Sequence, residues 1–119
     1  MKKTLIIGAS TNPARYSFLA ANRLVNHGHP VVLLGLKAGQ IAGNEILTGK
    51  PDLKDIDTVT LYIGPQHQAE WYDYIIALHP KRVIFNPSTE NPEFEQLLTQ
   101  NGIVAEEACT LVLLSINSY

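Results

Sequence analysis

A short apolar run near the start of the chain ends abruptly at a glycine. Leu5-Ile6-Ile7 has the unbroken hydrophobicity of a strand covered on both faces, as in a parallel sheet. Gly8 permits a sharp turn and a close approach of the backbone to a ligand, and a helical pattern follows from about Ser17. Strand, turn and helix in this order are typical of a corner that binds an anion, because free N–H groups and the helix dipole face it. An ordinary strand-to-helix turn is the alternative.

Apolar runs alternate with helical patterns along the rest of the chain. The runs predict five strands, at residues 4–7, 31–34, 58–63, 82–85 and 103–105. Helices are expected from about Ser17, which is the candidate N-cap of the first helix, after Gly64-Pro65 and after Asn91-Pro92, since proline is well placed in a first helical turn. The alternation predicts one Rossmann-like α/β domain over residues 1–119, with a doubly wound, mostly parallel five-stranded sheet and helices on both faces.

Three stretches have weaker patterns. The glycine-rich segment 35–50 is interpreted as a loop, in which Glu45–Leu47 is a candidate edge strand. Residues 52–56 could form a single helical turn. The apolar segment 111–116 must cover part of the core, as a helix or as a strand.

The composition argues against several classes of protein. The 119 residues suit one domain, and the formal net charge of −2 gives no support for nucleic-acid binding. No apolar run approaches the roughly 20 residues of a membrane span. The single cysteine, Cys109, excludes an internal disulfide and a cysteine-based zinc site. We expect a cytoplasmic protein that binds no metal, membrane or nucleic acid, and a protein partner is left open.

The loops after the strands indicate the kind of ligand. In such sheets the ligand lies beyond the carboxyl ends of the strands, where the strand order reverses, and the loops 8–17, 35–43 and 64–67 should meet there. A dinucleotide oxidoreductase would have a G-x-G-x-x-G loop and an acidic residue after the second strand. Here the first loop is Gly8-x-Ser10-x-x-Pro13, and Lys37 follows the second strand. A lysine there favours a ligand with a phosphate on its ribose, such as CoA or NADP, unless it is a solvated loop residue.

These motifs, in this order, resemble those of the small bacterial CoA-binding-domain proteins, which are related to the N-terminal CoA-binding domain of the succinyl-CoA synthetase alpha subunit. The first loop of that family has Gly-Ala-Ser followed by Pro, as in Gly8-Ala9-Ser10 and Pro13. Its frequent Asn-Pro-Lys after the second strand is reduced here to Lys37. Tyr62-Ile63-Gly64-Pro65 matches the turn after its third main strand. Its later Pro-Gly and Cys-Pro motifs correspond to Pro87-Ser88 and Cys109-Thr110.

The resemblance implies a CoA site and a role for each matched residue. The backbone N–H groups of Ala9, Ser10 and Thr11 would hold the pyrophosphate, and the two hydroxyl groups would add hydrogen bonds. Arg15 would assist through its charge, and Lys37 would meet the ribose phosphate as a point charge. The other implied site residues are Gly8, Pro13 and Ser17 in the first loop, Ile63, Gly64 and Pro65 beside the adenine or pantetheine, and Asn86 and Pro87 at the edge. A bulky residue at Gly8 is expected to block the ligand in a protein that still folds.

The sequence offers little chemistry for catalysis. It contains no G-x-S-x-G, H-E-x-x-H or C-x-x-C motif. His67 is a candidate acid or base near the expected site but is better explained as a surface residue, and Cys109 as a small buried residue. The leading interpretation is a stand-alone CoA or acyl-CoA binding protein without catalytic activity of its own. The alternatives are a small enzyme that uses NADP or another nucleotide, and a Rossmann-like interaction domain with a vestigial site.

Overall fold

A seven-stranded sheet forms the centre of the computed structural model, which describes all residues from Met1 to Tyr119. The strands are β1 (Thr4–Ile7), β2 (Val31–Leu34), β3 (Gly39–Ile41), β4 (Asn44–Leu47), β5 (Thr58–Leu61), β6 (Arg82–Phe85) and β7 (Val104–Glu107). Their spatial order is β3-β4-β2-β1-β5-β6-β7. β3 and β4 are antiparallel, and all other neighbours are parallel. The sheet grows from β1 to β2 on one side and to β5 on the other, so the strand order reverses at β1.

Helices cover both faces of the sheet. They are α1 (Tyr16–Asn26), α2 (Tyr72–Leu78), α3 (Pro92–Gln100) and α4 (Thr110–Ser115). Leu24 of α1 and Leu114 of α4 belong to one hydrophobic core, whereas Ile75 of α2 and Phe94 of α3 belong to a second core. No helix has the length and apolar character needed to cross a bilayer.

The Rossmann-like α/β class is confirmed, but the predicted count of five strands is wrong. β1, β2 and β6 have the predicted bounds, because short apolar runs buried on both faces are clear signals. The two strands that were not counted, β3 and β4, form an edge hairpin within the glycine-rich segment. Ala42 and Gly43 have φ values of 51° and 79°, as in the tight turns that suit hairpins. Only β4 overlaps the candidate edge strand 45–47.

Several boundaries also differ from the sequence-based prediction. β5 ends at Leu61 rather than at residue 63. Residues 52–56 form no helical turn, and Asp55 has a φ of 59°, outside the helical region. The segment after Gly64 begins with two short 3₁₀ turns before α2, and the apolar tail is the helix α4. α3 begins as predicted, because the Asn91 side chain accepts a hydrogen bond from the Phe94 N–H group at 3.2 Å.

Tyr119 closes the amino-terminal edge of the sheet. Its hydroxyl group lies 2.5 Å from the Thr4 hydroxyl group, and the Arg82 guanidinium stands 4.4 Å from the centre of its ring. The His29 ring also packs against it, at 4.9 Å between ring centres, and accepts a hydrogen bond at Nδ1 from the Lys2 N–H group at 3.0 Å. Burial lowers the pKa of His29, and the positive charges of the amino terminus and Lys2 add to this effect.

Candidate functional site

A cleft of about 1000 Å³ lies beyond the carboxyl ends of the central strands, where the strand order reverses. Five segments of the chain contribute to it, each following a strand of the sheet. Its lining residues are Gly8, Ala9, Ser10, Thr11, Arg15, Tyr16, Ser17, Leu36, Lys37, Tyr62, Ile63, Gly64, Asn86, Pro87, Ser88, Thr89, Cys109, Leu111 and Val112. The structure therefore brings together every predicted site residue except Pro13 and Pro65.

Gly8 is required by the packing of the strand ends. Its φ is 99°, and a Cβ atom there would stand 2.8 Å from the Tyr62 carbonyl oxygen. A bulky residue at Gly8 would therefore displace the backbone of the loop after β5 before it could block a ligand. The sequence-based expectation that such a protein would fold normally is not supported by this packing. The N–H groups of Gly8 and Ala9 both donate to the Leu34 carbonyl, each at 2.9 Å. The Ala9 N–H group, for which the resemblance implies a contact with the pyrophosphate, is thus already engaged within the protein.

The next residues form a loop with free donors. The Asn12 N–H group donates to Ser10 Oγ at 3.1 Å, and the Ala14 N–H group donates to Asn12 Oδ1 at 3.0 Å. These two bonds fix the loop from within and leave the Ser10 hydroxyl hydrogen available. The N–H groups of Ser10 and Thr11 donate to no protein acceptor. The loop thus offers two backbone donors to an anion.

The start of α1 adds further donors. Arg15 is the N-cap residue and its side chain makes no capping bond. The prediction that Ser17 is the N-cap is wrong: Ser17 lies inside the first turn and is buried. The N–H groups of Tyr16 and Ser17 have no protein acceptor, as is normal for a first turn without a side-chain cap. Donors of this kind, at the positive end of an eleven-residue helix, favour an anionic group.

The loop after β2 packs tightly against the first loop. A Cβ atom at Gly35 would stand 2.3 Å from the Ala9 carbonyl oxygen, and one at Gly39 would stand 2.6 Å from the Thr11 methyl group. Glycine is thus needed at 35 for close approach and not for an unusual φ. This packing holds Lys37 at the cleft, where its side chain is exposed.

Asn86 holds the far wall together. Its amide group donates to Thr60 Oγ1 at 2.6 Å and to the Leu61 carbonyl at 2.9 Å, and its carbonyl accepts from the Thr110 N–H group at 2.9 Å. The residue is 2% exposed. Since the side chain is fully engaged, Asn86 positions β5, β6 and α4 relative to one another. It closes the cleft edge as a structural residue and does not offer its amide to a ligand.

A second buried network, around Gln68, supports the same wall from behind. Gln68 is fully buried, and its amide group donates to the Ile63 and Thr89 carbonyls at 3.0 and 2.8 Å. Its carbonyl accepts from Asn91, whose amide group also donates to the Tyr72 hydroxyl at 2.8 Å. The network fastens the loop after β5 to the loop after β6. Gln68 has no signal in the sequence, because its partners Thr89 and Asn91 lie 21 and 23 residues away in the chain.

Two wall residues carry a local energetic cost. Ser88 has a φ of 77°, in the left-handed region where glycine is favoured. The Tyr62 hydroxyl is buried beside those of Thr60 and Thr110 but has no hydrogen-bond partner, whereas the two threonine hydroxyls bond to each other at 2.8 Å. Burial raises the pKa of Tyr62, so its hydroxyl group stays protonated.

The lining is positively charged although the chain is not. Arg15 and Lys37 are its only ionisable side chains apart from the Tyr16 and Tyr62 phenols and the Cys109 thiol. It contains no aspartate, glutamate or histidine. His67 is exposed and lies outside the lining. No group of three His, Cys, Asp or Glu side chains could hold a metal ion. The cleft therefore suits an anion inside a chain whose net charge is −2.

Some lining residues escaped the sequence analysis. They are Tyr16, Leu36, Ser88, Thr89, Leu111 and Val112 as site residues, together with Cys109, which was interpreted as a small buried residue. Leu111 and Val112 belong to the tail whose structure the sequence left open. A signal for them was present, since a tail that follows a strand carboxyl end starts at the ligand edge of the sheet.

The fold and the cleft define a small Rossmann-like α/β domain whose site suits a phosphorylated ligand. Residues 2–115 match the family described as CoA binding domain. Since this match covers nearly the whole chain, the protein belongs to the CoA binding domain family. No curated protein matches the chain.

Solved structures share the whole fold. The crystal structure of an uncharacterized protein is 51% identical, covers 100% of this chain and 98% of its own, and superposes with a TM-score of 0.97. A hypothetical protein from Pyrococcus horikoshii is 25% identical over 93% of this chain and 80% of its own, with a TM-score of 0.81. The protein called cell-free ID.343 from Thermus thermophilus is 21% identical over 99% and 90%, with a TM-score of 0.88, which shows a common fold.

Proposed function

We propose that this protein is a stand-alone binding module for CoA or its acyl thioesters and catalyses no reaction of its own. The observation that carries the proposal is a cleft with two cations, no carboxylate and a set of free backbone donors. These donors are the N–H groups of Ser10, Thr11, Tyr16 and Ser17. Backbone donors at a helix start, backed by positive charge, form a site for phosphate groups. Membership of the CoA binding domain family supports CoA as the nucleotide.

The loop after β2 favours CoA over NAD as the ligand. In an NAD site an acidic residue in this position accepts hydrogen bonds from the ribose hydroxyl groups. Here the position carries Lys37, and the nearest acidic residue along the chain is Glu45, outside the lining. A lysine favours a ribose that carries a phosphate. NADP shares that feature with CoA, so the two must be compared directly.

The lining supports binding rather than catalysis. General acid–base chemistry needs a positioned group such as histidine or a carboxylate, and the lining has neither. Cys109 is its one thiol, and a thiol acts as a nucleophile when a neighbouring base or positive charge activates it. No histidine hydrogen-bonds to Cys109, and the two lining cations follow β1 and β2, away from it.

Thermal denaturation with CoA, acetyl-CoA, NADP and NAD tests the proposal. A ligand at about 100 times its Kd stabilises the folded state by about 2.7 kcal/mol, which for a chain of this size raises Tm on the order of 10 °C. We expect this shift with CoA and acetyl-CoA and little change with NAD. A larger shift with NADP than with CoA would contradict the assignment.

An assay of free thiol release tests the absence of catalysis. Acetyl-CoA incubated with the protein should lose its acetyl group no faster than in buffer. Hydrolysis well above the buffer rate, lost in Cys109→Ala, would contradict the binding-only role. The Ser115→Ala variant is the matched control, since Ser115 is exposed on α4 outside the cleft.

A further inference from the structure

The cleft has a charged end and an uncharged end. Lys37 follows β2 and Arg15 follows β1, whereas the far wall includes Cys109, Leu111 and Val112, which follow β7. β1, β5 and β6 stand between β2 and β7 in the sheet. Strand spacings of about 4.8 Å place the two ends roughly 19 Å apart. A ligand whose phosphates meet the cations therefore extends its other end toward α4.

The wall at α4 is apolar and open. Val112 is 53% exposed, although Leu114 on the same helix is buried in the core. Single exposed hydrophobic side chains are ordinary, but Val112 and its neighbour Leu111 both line the cleft. Apolar side chains that line a concave site are covered when the apolar part of a ligand binds. The wall at α4 thus has the character of a contact surface for a hydrocarbon group.

The same end carries no positively charged side chain. Its lining residues carry no cation, and β7 ends in Glu107, two residues before Cys109. A hydrogen bond to Glu95 and the charges of Glu95 and Glu90 raise the pKa of Glu107, because these carboxyl groups crowd one another. A ligand carboxylate brought here would lose water and meet no cationic side chain. An uncharged group fits this end better than an anionic one.

We infer that the ligand is an acyl thioester of CoA with a neutral, apolar acyl chain, which lies against Leu111 and Val112. This inference rests on the proposed function, since it requires the CoA phosphates at Arg15 and Lys37. It also predicts an order of affinity among CoA ligands. Neutral acyl-CoA binds more tightly than free CoA, and more tightly than an acyl-CoA whose chain ends in a carboxylate.

Titration calorimetry with CoA, butyryl-CoA, hexanoyl-CoA and succinyl-CoA tests this order. Butyryl and succinyl groups have equal chain lengths and differ in the terminal carboxylate, so they form a matched pair. A methylene fully removed from water is worth nearly fourfold in affinity. With half of its five alkyl carbons covered, hexanoyl-CoA should bind roughly thirtyfold more tightly than CoA, and succinyl-CoA should bind more weakly than butyryl-CoA.

Two variants test whether the acyl chain contacts α4. Val112→Ser should reduce the ratio of hexanoyl-CoA to CoA affinity severalfold. Ile116→Ser is the matched control, because Ile116 is 61% exposed, follows Val112 by one helical turn and lies outside the cleft. In the Ile116→Ser variant the ratio of hexanoyl-CoA to CoA affinity should equal that of the wild type. Both substitutions are at exposed positions, so circular dichroism should show unchanged folding.

The outcomes separate this inference from the function on which it rests. Equal affinity for all four ligands, or tightest binding of succinyl-CoA, overturns the acyl inference and leaves CoA binding in place. An equal loss of the ratio in both variants overturns the placement of the chain on α4. Failure of every ligand to bind overturns the proposed function and the inference together.

Discussion

Replacing Lys37 with alanine should remove most of the preference that we expect this protein to show for CoA over dephospho-CoA. The two ligands differ only in the phosphate on the ribose, which should lie just beyond β2. Lys37 lies at this position, is exposed, and belongs to neither of the ion pairs in the structure. Its charge is therefore available to a ligand and is not already neutralised.

The magnitude follows from the exposure of the lysine. Hydrogen bonds to charged groups contribute about 1.5–3 kcal/mol, and ion pairs exposed to solvent contribute up to about 1 kcal/mol. Lys37 lies between these cases, because its side chain is exposed but stands at a cleft that a ligand would fill. A value of about 1.4 kcal/mol corresponds to a tenfold preference for CoA. Raising the salt from about 0.1 M to about 1 M shortens the Debye length from about 10 Å to about 3 Å, so the preference should shrink.

Titrations of both ligands into wild type and three variants provide the measurement. Lys37→Ala should weaken CoA binding about tenfold and leave dephospho-CoA nearly unchanged. Lys54→Ala removes the same charge from an exposed lysine at the opposite edge of the sheet, and should change neither affinity. Arg15→Ala should weaken both ligands alike, because the pyrophosphate that it would contact is common to both.

Three results would refute this reasoning. Wild type could bind CoA and dephospho-CoA equally, in which case Lys37 is only a loop lysine. Lys37→Ala could retain the full preference for CoA, in which case another group contacts the ribose phosphate. Lys54→Ala could lose as much as Lys37→Ala, which would trace the effect to net charge and not to position.

Further predictions concern stability. Tyr62→Phe removes a buried hydroxyl group without a partner and should stabilise the fold by about 1 kcal/mol in urea denaturation; a clear loss would show that the hydroxyl group is satisfied. Ser88→Gly relieves a left-handed residue and should add about 0.5 kcal/mol, once the greater freedom of glycine in the unfolded chain is subtracted; a lower urea midpoint would contradict this. Burial lowers the pKa of folded His29 below its unfolded value of 6.5, so its contribution is complete above about pH 6.5 and is lost as the pH falls through the folded pKa. His29→Asn, which does not titrate, should lose less stability than wild type between pH 7.5 and pH 5.5, and equal losses would exclude His29.

The sequence predicted the central strands well because their burial leaves a simple signature. A run such as Thr4–Ile7 is covered on both faces, so nearly every position must be apolar, and the run ends where the turn begins. The hairpin of β3 and β4 has no such signature. Its strands have only three and four residues, in which Ile41, Ile46 and Leu47 are mixed with polar or small residues. Its place in the sheet depends on the pairing of β4 with the neighbouring strand β2.

Part of the candidate site could likewise be predicted from the sequence and part could not. The first loop is local in sequence, and its Gly-Ala-Ser motif could be placed before the structure was known. Even there, the bond from the Ala9 N–H group to the Leu34 carbonyl depends on a neighbouring strand and was missed. The far wall is assembled by Asn86, whose partners Thr60 and Thr110 lie 26 and 24 residues away in the chain. Contacts of this range leave no periodic pattern in one sequence.

The contact between Gly35 and Ala9 limits how the ligand preference of this protein could be engineered. Since a Cβ atom at Gly35 would stand 2.3 Å from the Ala9 carbonyl oxygen, the loop that carries Lys37 fits only against the present course of the first loop. A loop transplanted from an NAD-binding protein, with an acidic residue for the ribose and a larger residue at 35, would push the phosphate-facing backbone out of place. A successful exchange must replace both loops as one cassette, or keep Gly35 and Gly39 and alter only the tip between them.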